Sequence, residues 1–579
     1  MSNDLQAAIA LHQKGRVSDA RVAYARVLQQ APHNPVALHL LGVTFLQEGK
    51  AAEALPWLRR AAAFRPQDAD MLGGLAAALG ATDCFAEAAD VYQRLLVIRP
   101  EEAYAWRGLA EALQKLGRLK EAVRAYKRIL VLAQDAGVLT NFGALLKDLG
   151  RLGEAVAAHR RALELEPGLA AAHNNLGAAL EAQEKLEEAL ASYLASFAAD
   201  PRYVRGRVNA GAILQKLNRH EDAVALYQEA LSFQPDDAGA LYNWSNALLE
   251  MNRVEEMFAV HERLFSFHPG HEEALWIQAG VFLARGELRR GWESYERRWS
   301  GRRPISPPPP AGCPLWLGEG EPGPGPLLLQ AEQGLGDTIH MLRYVPLLEA
   351  RGTACWLQVP ETLRALAARS FPAARVFSDV AVPPGAARRI PMMSLPLALR
   401  TDTVADIPGR VPYLTPDGAR AAHWRAALPS GKGRRVGLAW RGSPTHERDR
   451  WRSARLEDFL PFLEREDFLP VIFQKGLTEA ERALLARYPR AAVADAADLD
   501  DLAALLSVLD HVVAVDSSPA HLAGALARPA SVLLPFYADW RWLLDRADSP
   551  WYPTARLFRQ PARGAWAPAV AAALKELAA

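Results

Sequence analysis

From residue 1 to about 299 the chain repeats itself with a period close to 34 residues, and no other feature limits its fold so strongly. Prolines recur at Pro66, Pro100, Pro167, Pro201, Pro235 and Pro269, and alanines at Ala20, Ala54, Ala88, Ala122, Ala155, Ala189 and Ala223. Four residues after each alanine stands a larger side chain: Tyr24, Leu58, Tyr92, Tyr126, His159, Tyr193 and Tyr227. Leu41-Gly42, Leu75-Ala76, Leu109-Ala110 and Leu176-Gly177 mark the early part of their units. A unit of this length cannot bury its apolar face alone, so neighbours must stack into a solenoid. Roughly nine units fit, the fourth one residue short and the outermost two degraded, as capping units often are.

The pattern resembles the tetratricopeptide repeat, a pair of helices whose small residues allow close approach. A repeat array offers a surface, and what lines its inner face decides the partner. Asn141, Asn175, Asn209 and Asn243 are spaced by 34 and occupy one place on the first helix of consecutive units. An asparagine ladder can donate to and accept from the amides of an extended peptide, giving grip with little side-chain selectivity. It resembles the ladder in the superhelix of eukaryotic O-GlcNAc transferase, which implies a protein partner. The competing reading is an asparagine that only caps a neighbouring turn. Leu40, Gly74 and Gly108 hold that place in earlier units, so any ladder is confined to the later ones.

Composition narrows the partners further. A net charge of +1 gives no global attraction to nucleic acid or to an anionic membrane. Cys84, Cys313 and Cys355 are scattered, match no metal spacing, and point to a reducing cytoplasm. No basic-then-apolar leader opens the sequence, and no apolar run is long enough for a bilayer, so the expectation is a soluble protein without membrane insertion. Gly301 to Pro326, with four consecutive prolines at Pro307–Pro310 and a Gly/Pro-rich tail, reads as a linker in which Trp316 docks on a neighbour.

Beyond the linker the periodicity becomes α/β. Leu327–Ala331 is a strand candidate running into Glu332-Gln333-Gly334-Leu335-Gly336-Asp337, with a helix expected over Thr338–Glu349. Two glycines at a strand-to-helix turn let the backbone approach a ligand, although neither a dinucleotide fingerprint nor a P-loop is complete. Further strands are expected at 354–359, 374–377, 434–440 and 469–474, and helices at 456–465 and 501–509. His511–Asp516 reads as a buried parallel strand. Ser517-Ser518-Pro519 opens a helix, with Ser518 as N-cap and Pro519 first in the helix, and Ser531–Pro535 is the next strand. Ligands of open parallel sheets sit at the carboxyl ends of strands, where a helix N-terminus offers free N–H groups to phosphate. Arg441, Lys475, Ser517, Ser518 and Arg541 are therefore expected along one rim, suited to a diphosphate or an acidic sugar.

The motifs Glu332–Asp337 and Asp516–Leu526 resemble the heptosyltransferase-related glycosyltransferases. That resemblance implies a GT-B fold, two Rossmann-like lobes around a cleft, and hence an all-α tetratricopeptide solenoid followed by an α/β GT-B module. The segments Asp539–Trp542, Ser549–Pro553 and Arg556–Gln560 are similar to bacterial proteins joining such repeats to this domain, flagellin glycosyltransferases among them. The implied organisation is an array at 1–299, a linker at 300–326, an acceptor-side lobe at 327–418 and a donor-side lobe at 419–579.

The family turn makes Asp337 the candidate base, with Gly334, Gly336 and His340 forming the acceptor loop. Asp337 at a helix start is also an ordinary capping residue. The donor set is Arg441, Lys475, Asp516, Ser517, Ser518, His521, Trp540 and Arg541. His340 and Met341 stand where the family pattern has glutamine and phenylalanine, which points to a different acceptor side. Asp498-Leu499-Asp500-Asp501 invites a metal, but its place before a helix favours capping, so no metal or cofactor is expected beyond a nucleotide-sugar substrate. The function expected is transfer of a sugar, a nonulosonic acid among the candidates, to Ser or Thr of a protein such as flagellin held by the array. Two rivals remain: a transferase acting on glycolipid, and a repeat scaffold with an inactive cleft.

Overall fold

A computed structural model describes residues 3–299, 313–378, 384–443 and 449–578. Pro307–Pro310 of the expected linker, and Pro444 with the loop after it, lie outside the described residues. Contacts divide the chain into two compact units, Met1–Ala247 and Leu248–Ala579.

The first unit is built from helical hairpins, and the 34-residue period sets both their packing and their turns. The small residue of one helix receives the large residue of the next: a Cβ on Gly177 would meet the Tyr193 ring at 2.8 Å, and one on Gly143 the His159 ring at 2.5 Å. The buried tyrosines keep their hydroxyls bonded, Tyr126 to Gln114 at 2.7 Å and Tyr193 to Glu181 at 2.8 Å. The turn inside each hairpin needs one left-handed residue. Gly15, Gly49, Gly117 and Gly150 supply it at φ of 71° to 76°, and Asp83, Glu184 and Asn218 take the same role.

The second unit begins with the last hairpins, among them helices Glu272–Ala284 and Leu288–Tyr295, and a 3₁₀ turn Glu296–Trp299. Two parallel sheets follow. The first lobe contains β1 (Leu327–Gln330), β2 (Cys355–Gln358), β3 (Arg375–Phe377) and β4 (Arg388–Pro391), in the order β3-β2-β1-β4. The second contains β5 (Arg434–Ala439), β6 (Phe468–Ile472), β7 (Ala492–Val493), β8 (His511–Val515), β9 (Ala530–Leu534) and β10 (Ala555–Arg559), in the order β10-β9-β8-β5-β6-β7. Every pairing is parallel, and β1, β6, β8 and β9 are buried along their whole length or nearly so, as parallel strands covered on both faces are.

One apolar core runs from Leu283, Leu288 and Trp292 of the last hairpin through Leu327 and Leu329 to Val512 and Leu534. Trp316 is 2% exposed; its backbone N–H donates to Arg389 at 2.9 Å and its indole to the Gly320 carbonyl at 3.1 Å, so it docks on β4. The helix expected over Thr338–Glu349 is instead Leu335–Met341, a 3₁₀ turn Leu342–Tyr344 and Val345–Ala350. Pro346 explains the break, since it removes an N–H and crowds the preceding turn. Among the described residues no helix is long and apolar enough to cross a membrane.

Candidate functional site

The parallel order β9-β8-β5-β6 sets the carboxyl ends of these strands side by side, and the chain after each carries the polar residues singled out above. After β8, Ser517 has extended backbone and is the N-cap, which moves Ser518 into the first helical position and Pro519 to the second. The Ser517 hydroxyl donates to the Val515 carbonyl at 3.0 Å and does not cap the helix. The start of helix Ser518–Ala525 therefore has no side-chain cap, and the dipole there favours an anion.

The turn bearing Asp337 lies directly against this helix: a Cβ on Gly336 would meet the His521 imidazole at 2.9 Å. Asp337 is the third residue of helix Leu335–Met341, and one carboxylate oxygen accepts the Gly334 N–H at 2.7 Å. The other oxygen is ion-paired with Arg541 of the opposite lobe. Arg541 is also paired with Asp539 at 2.7 Å and lies over the Trp540 ring at 4.1 Å. Its side chain is 7% exposed, so the cation is held between two carboxylates and an aromatic face with little water to weaken either attraction. Trp540 is buried and meets Trp292 edge-on, ring centroids 5.0 Å apart, so it belongs to the core of this unit.

A line of polar side chains runs inward from Asp516, its first link a charge contact and the others hydrogen bonds. His521 Nε2 is 4.0 Å from the Asp516 carboxylate, and His521 Nδ1 is 3.1 Å from the Tyr552 hydroxyl. The same hydroxyl is 3.0 Å from His340 Nδ1. One hydroxyl has one proton to give. Arg343 Nη2, which can only donate, is 3.4 Å from His340 Nδ1, so that nitrogen is an acceptor, takes the Tyr552 proton, and leaves His521 Nδ1–H to donate to the tyrosine oxygen. Burial, then the Asp539 charge, pushes the Asp516 carboxyl up to about 6. Burial, with Arg541 adding, pushes His521 down to about 3, and burial with Arg343 holds His340 well below the ordinary imidazole value. Both rings are thus neutral near pH 7.

Arg343, Tyr413, Trp551, Tyr552 and Asp539 join the site with no role expected of them from the sequence. Arg343 is buried, donates to the His340 carbonyl at 2.7 Å and to that of Trp551, and sits 4.5 Å from the centre of the Tyr552 ring. Tyr552 lies inside a stretch already quoted for its family likeness, which was the available signal; Arg343 and Tyr413 carried none.

Other expected donor contacts are engaged elsewhere. Arg441 pairs with Glu481 at 2.9 Å, and Lys475 with Asp495 at 2.9 Å and with the Ala496 carbonyl. They sit at the expected strand ends, but among the described residues no hydrogen bond or ion pair joins them to the Asp337–Arg541 group. The acidic run is committed too: Asp498 caps its helix at the Asp501 N–H, Asp500 takes Arg369, and Asp501 accepts from Trp424. In the array, Asn209 donates to Asn174 at 2.8 Å and Asn174 to Asn175 at 3.3 Å, so two members of the ladder share a neighbour. Asn141 is exposed, and Asn175, Asn209 and Asn243 are half-buried.

Residues 471–533, which contain β8 and the Ser518 helix, match glycosyltransferase family 9 (heptosyltransferase). Residues 11–79, 76–137, 143–184 and 204–237 match tetratricopeptide repeat families. This chain joins tetratricopeptide repeats to a family 9 glycosyltransferase domain. It is 30% identical over 331 residues to Protein FlbA of Caulobacter vibrioides, covering 52% of this chain and 55% of that one, so it spans about half the length of that relative. Among solved structures, YrrB, described as a tetratricopeptide protein with an unusual peptide-binding site, is 24% identical over 32% of this chain and 96% of its own, with a TM-score of 0.28. The C-terminal part of a repeat protein from Cytophaga hutchinsonii is 14% identical over 41% of this chain and 98% of its own, with a TM-score of 0.37.

Proposed function

We propose that this chain is a protein O-glycosyltransferase of the GT-B class. The observation that carries the reading is the ion pair between Asp337 and Arg541, made where the acceptor-side turn packs on the uncapped helix at Ser518. The phosphate of a nucleotide-activated sugar is held by the amides at Ser517 and Ser518 and by Arg541, with Asp516 toward the sugar. Arg541 exchanges Asp337 for the donor phosphate, and that exchange frees one carboxylate oxygen of Asp337 to take the proton of an incoming hydroxyl. The hydroxyl oxygen then attacks the anomeric carbon as the bond to phosphate breaks, and Arg541 receives the developing charge. The reaction inverts the anomeric centre and needs no metal.

The array supplies a protein acceptor such as flagellin, gripped through Asn175, Asn209 and their neighbours, which raises its local concentration at the transferase. The donor is a nucleotide-activated sugar, a nonulosonic acid among the candidates, and the reaction takes place in the cytoplasm. The family description, heptosyltransferase, favours a glycolipid acceptor as the second reading. Intact-mass and lipid analysis after co-expression with flagellin and a nonulosonic-acid pathway separates the readings. A flagellin adduct absent with Asp337→Asn supports the proposal, a modified lipid alone supports the second reading, and neither product rejects both.

A further inference from the structure

The turn that carries Asp337 is held from behind by the last repeat hairpin. Glu332 and Gln333 open that turn, and each is bonded by a residue at the end of the repeats. Arg298, 1% exposed, donates to both oxygens of the Glu332 carboxylate at 3.0 and 2.8 Å, and to the Ser394 hydroxyl at 2.7 Å. Tyr295, 3% exposed, has its hydroxyl 3.2 Å from both the oxygen and the nitrogen of the Gln333 amide. Gln333 has φ of 63°, a left-handed conformation that a side chain other than glycine rarely adopts. Such a residue persists only where its surroundings over-determine it, and the Tyr295 contact is a restraint at that position. The next residue, Gly334, gives its N–H to Asp337, so the direction of the Gln333 peptide sets where that carboxylate sits. Trp292, one turn earlier on the same helix, packs on Trp540 beside Arg541.

We infer that Tyr295, acting through Gln333 and supported by Arg298, is a positioning residue for Asp337: the terminal repeat is part of the catalytic machinery. This rests on the reading of Asp337 as the base. Burial pushes the Tyr295 hydroxyl up to about 12, so it keeps its proton and can donate to the Gln333 oxygen throughout the working pH range.

The test uses full-length protein with a CMP-activated nonulosonic acid and flagellin, together with amide hydrogen exchange, which needs no substrate. Tyr295→Phe removes one hydroxyl, and Gln333→Ala keeps the same backbone cost while removing the amide. Each is expected to lower kcat about 10-fold with donor KM within about 2-fold, the pattern of a lost transition-state contact. The double variant is expected to be no worse than either single, because both remove one contact. Gln333→Glu, whose carboxylate still accepts from Tyr295, is expected to recover most of the rate. Exchange at residues 333–337 is expected to quicken in both single variants while that of the Ser518 helix stays unchanged. Unchanged exchange at 333–337 overturns the inference, whatever the assay gives. So do wild-type kcat values in both single variants alongside an inactive Asp337→Asn. Full activity in Asp337→Asn removes the base reading instead, and exchange then decides the restraint by itself.

Discussion

Gly336 lies so close to the imidazole of His521 that a methyl group on it would stand 2.9 Å from a ring carbon. The ring cannot swing away cheaply. It stacks on Trp542 at 17° with centroids 5.3 Å apart, and its Nδ1 is tied to Tyr552. Gly336→Ala should therefore push the two helices apart, at a cost of about 1–3 kcal/mol for overpacking. A lower melting temperature for the second unit and a large loss of turnover are expected, with partial recovery in Gly336→Ala/His521→Ala. Unchanged melting and turnover would mean that the two helices have room to spare.

What the sequence made legible follows from how local each signal is. The β8–helix–β9 unit announces itself through a β-branched run, a serine pair and a proline, all within 25 residues. The cap falls at Ser517, one residue before the expected Ser518, because Ser517, with its hydroxyl on Val515, takes the extended backbone that a cap needs. β4 and β10 went unread since both are edge strands rich in arginine, where one-sided burial erases the apolar run. The Arg343–Tyr413–Tyr552 cluster could not be read at all, because Arg343 meets residues 70 and 208 positions away and no local pattern encodes such contacts. Asp337 shows both sides at once, since capping Gly334 and pairing with Arg541 are done by different oxygens of one carboxylate.

Arg541 is the one cation of the expected donor set that contacts the candidate base. Arg541→Ala would leave Asp337 and Asp539 without a shared counter-charge and remove the group proposed to receive the leaving phosphate. A fall in kcat of about 10²-fold or more is expected, the usual scale for a lost charge-stabilising donor. Arg541→Lys should restore only a fraction, because a point charge cannot face two carboxylates as a planar fork does. By contrast Arg441→Ala, which frees Glu481, should change turnover far less. Equal losses at Arg441 and Arg541 would place the leaving group elsewhere along the strand ends.

The first unit should weaken in mild acid, with His159 the largest contributor and the buried His39 a smaller one. His159 replaces the tyrosine of its neighbours, is fully buried, and neither ring nitrogen has a hydrogen-bond partner among the described residues. Burial, with Lys147 adding, pushes it down to about 4. An unfolded chain takes up the proton near pH 6.5, the folded one only near 4, so protons favour unfolding between those values. Stability is then full above about pH 6.5 and is lost progressively as pH falls toward 4, by about 3 kcal/mol if the whole shift is realised. Urea midpoints between pH 7 and 4 check this, and His159→Tyr should flatten the curve. An equal slope in that variant would assign the acid sensitivity to other groups.

The place to cut the chain follows from the core rather than from the proline run. Leu283, Leu288 and Trp292 precede the linker yet belong to the same apolar cluster as Leu327 and Trp540. Arg298, also upstream, satisfies the Glu332 carboxylate, which is only 9% exposed. A fragment beginning at 301 would lose the Trp292 contact, a deletion of the kind that costs about 3–5 kcal/mol, and would take the Arg298 counter-charge from a buried carboxylate at a similar cost. Together these approach the whole stability of an ordinary domain. A fragment beginning at 248 keeps all of them. The 248–579 fragment should therefore unfold in one cooperative transition, and the 301–579 fragment should be insoluble or bind hydrophobic dyes at room temperature. Matching melting curves for the two fragments would show that the last hairpin adds nothing to the lobes it packs against.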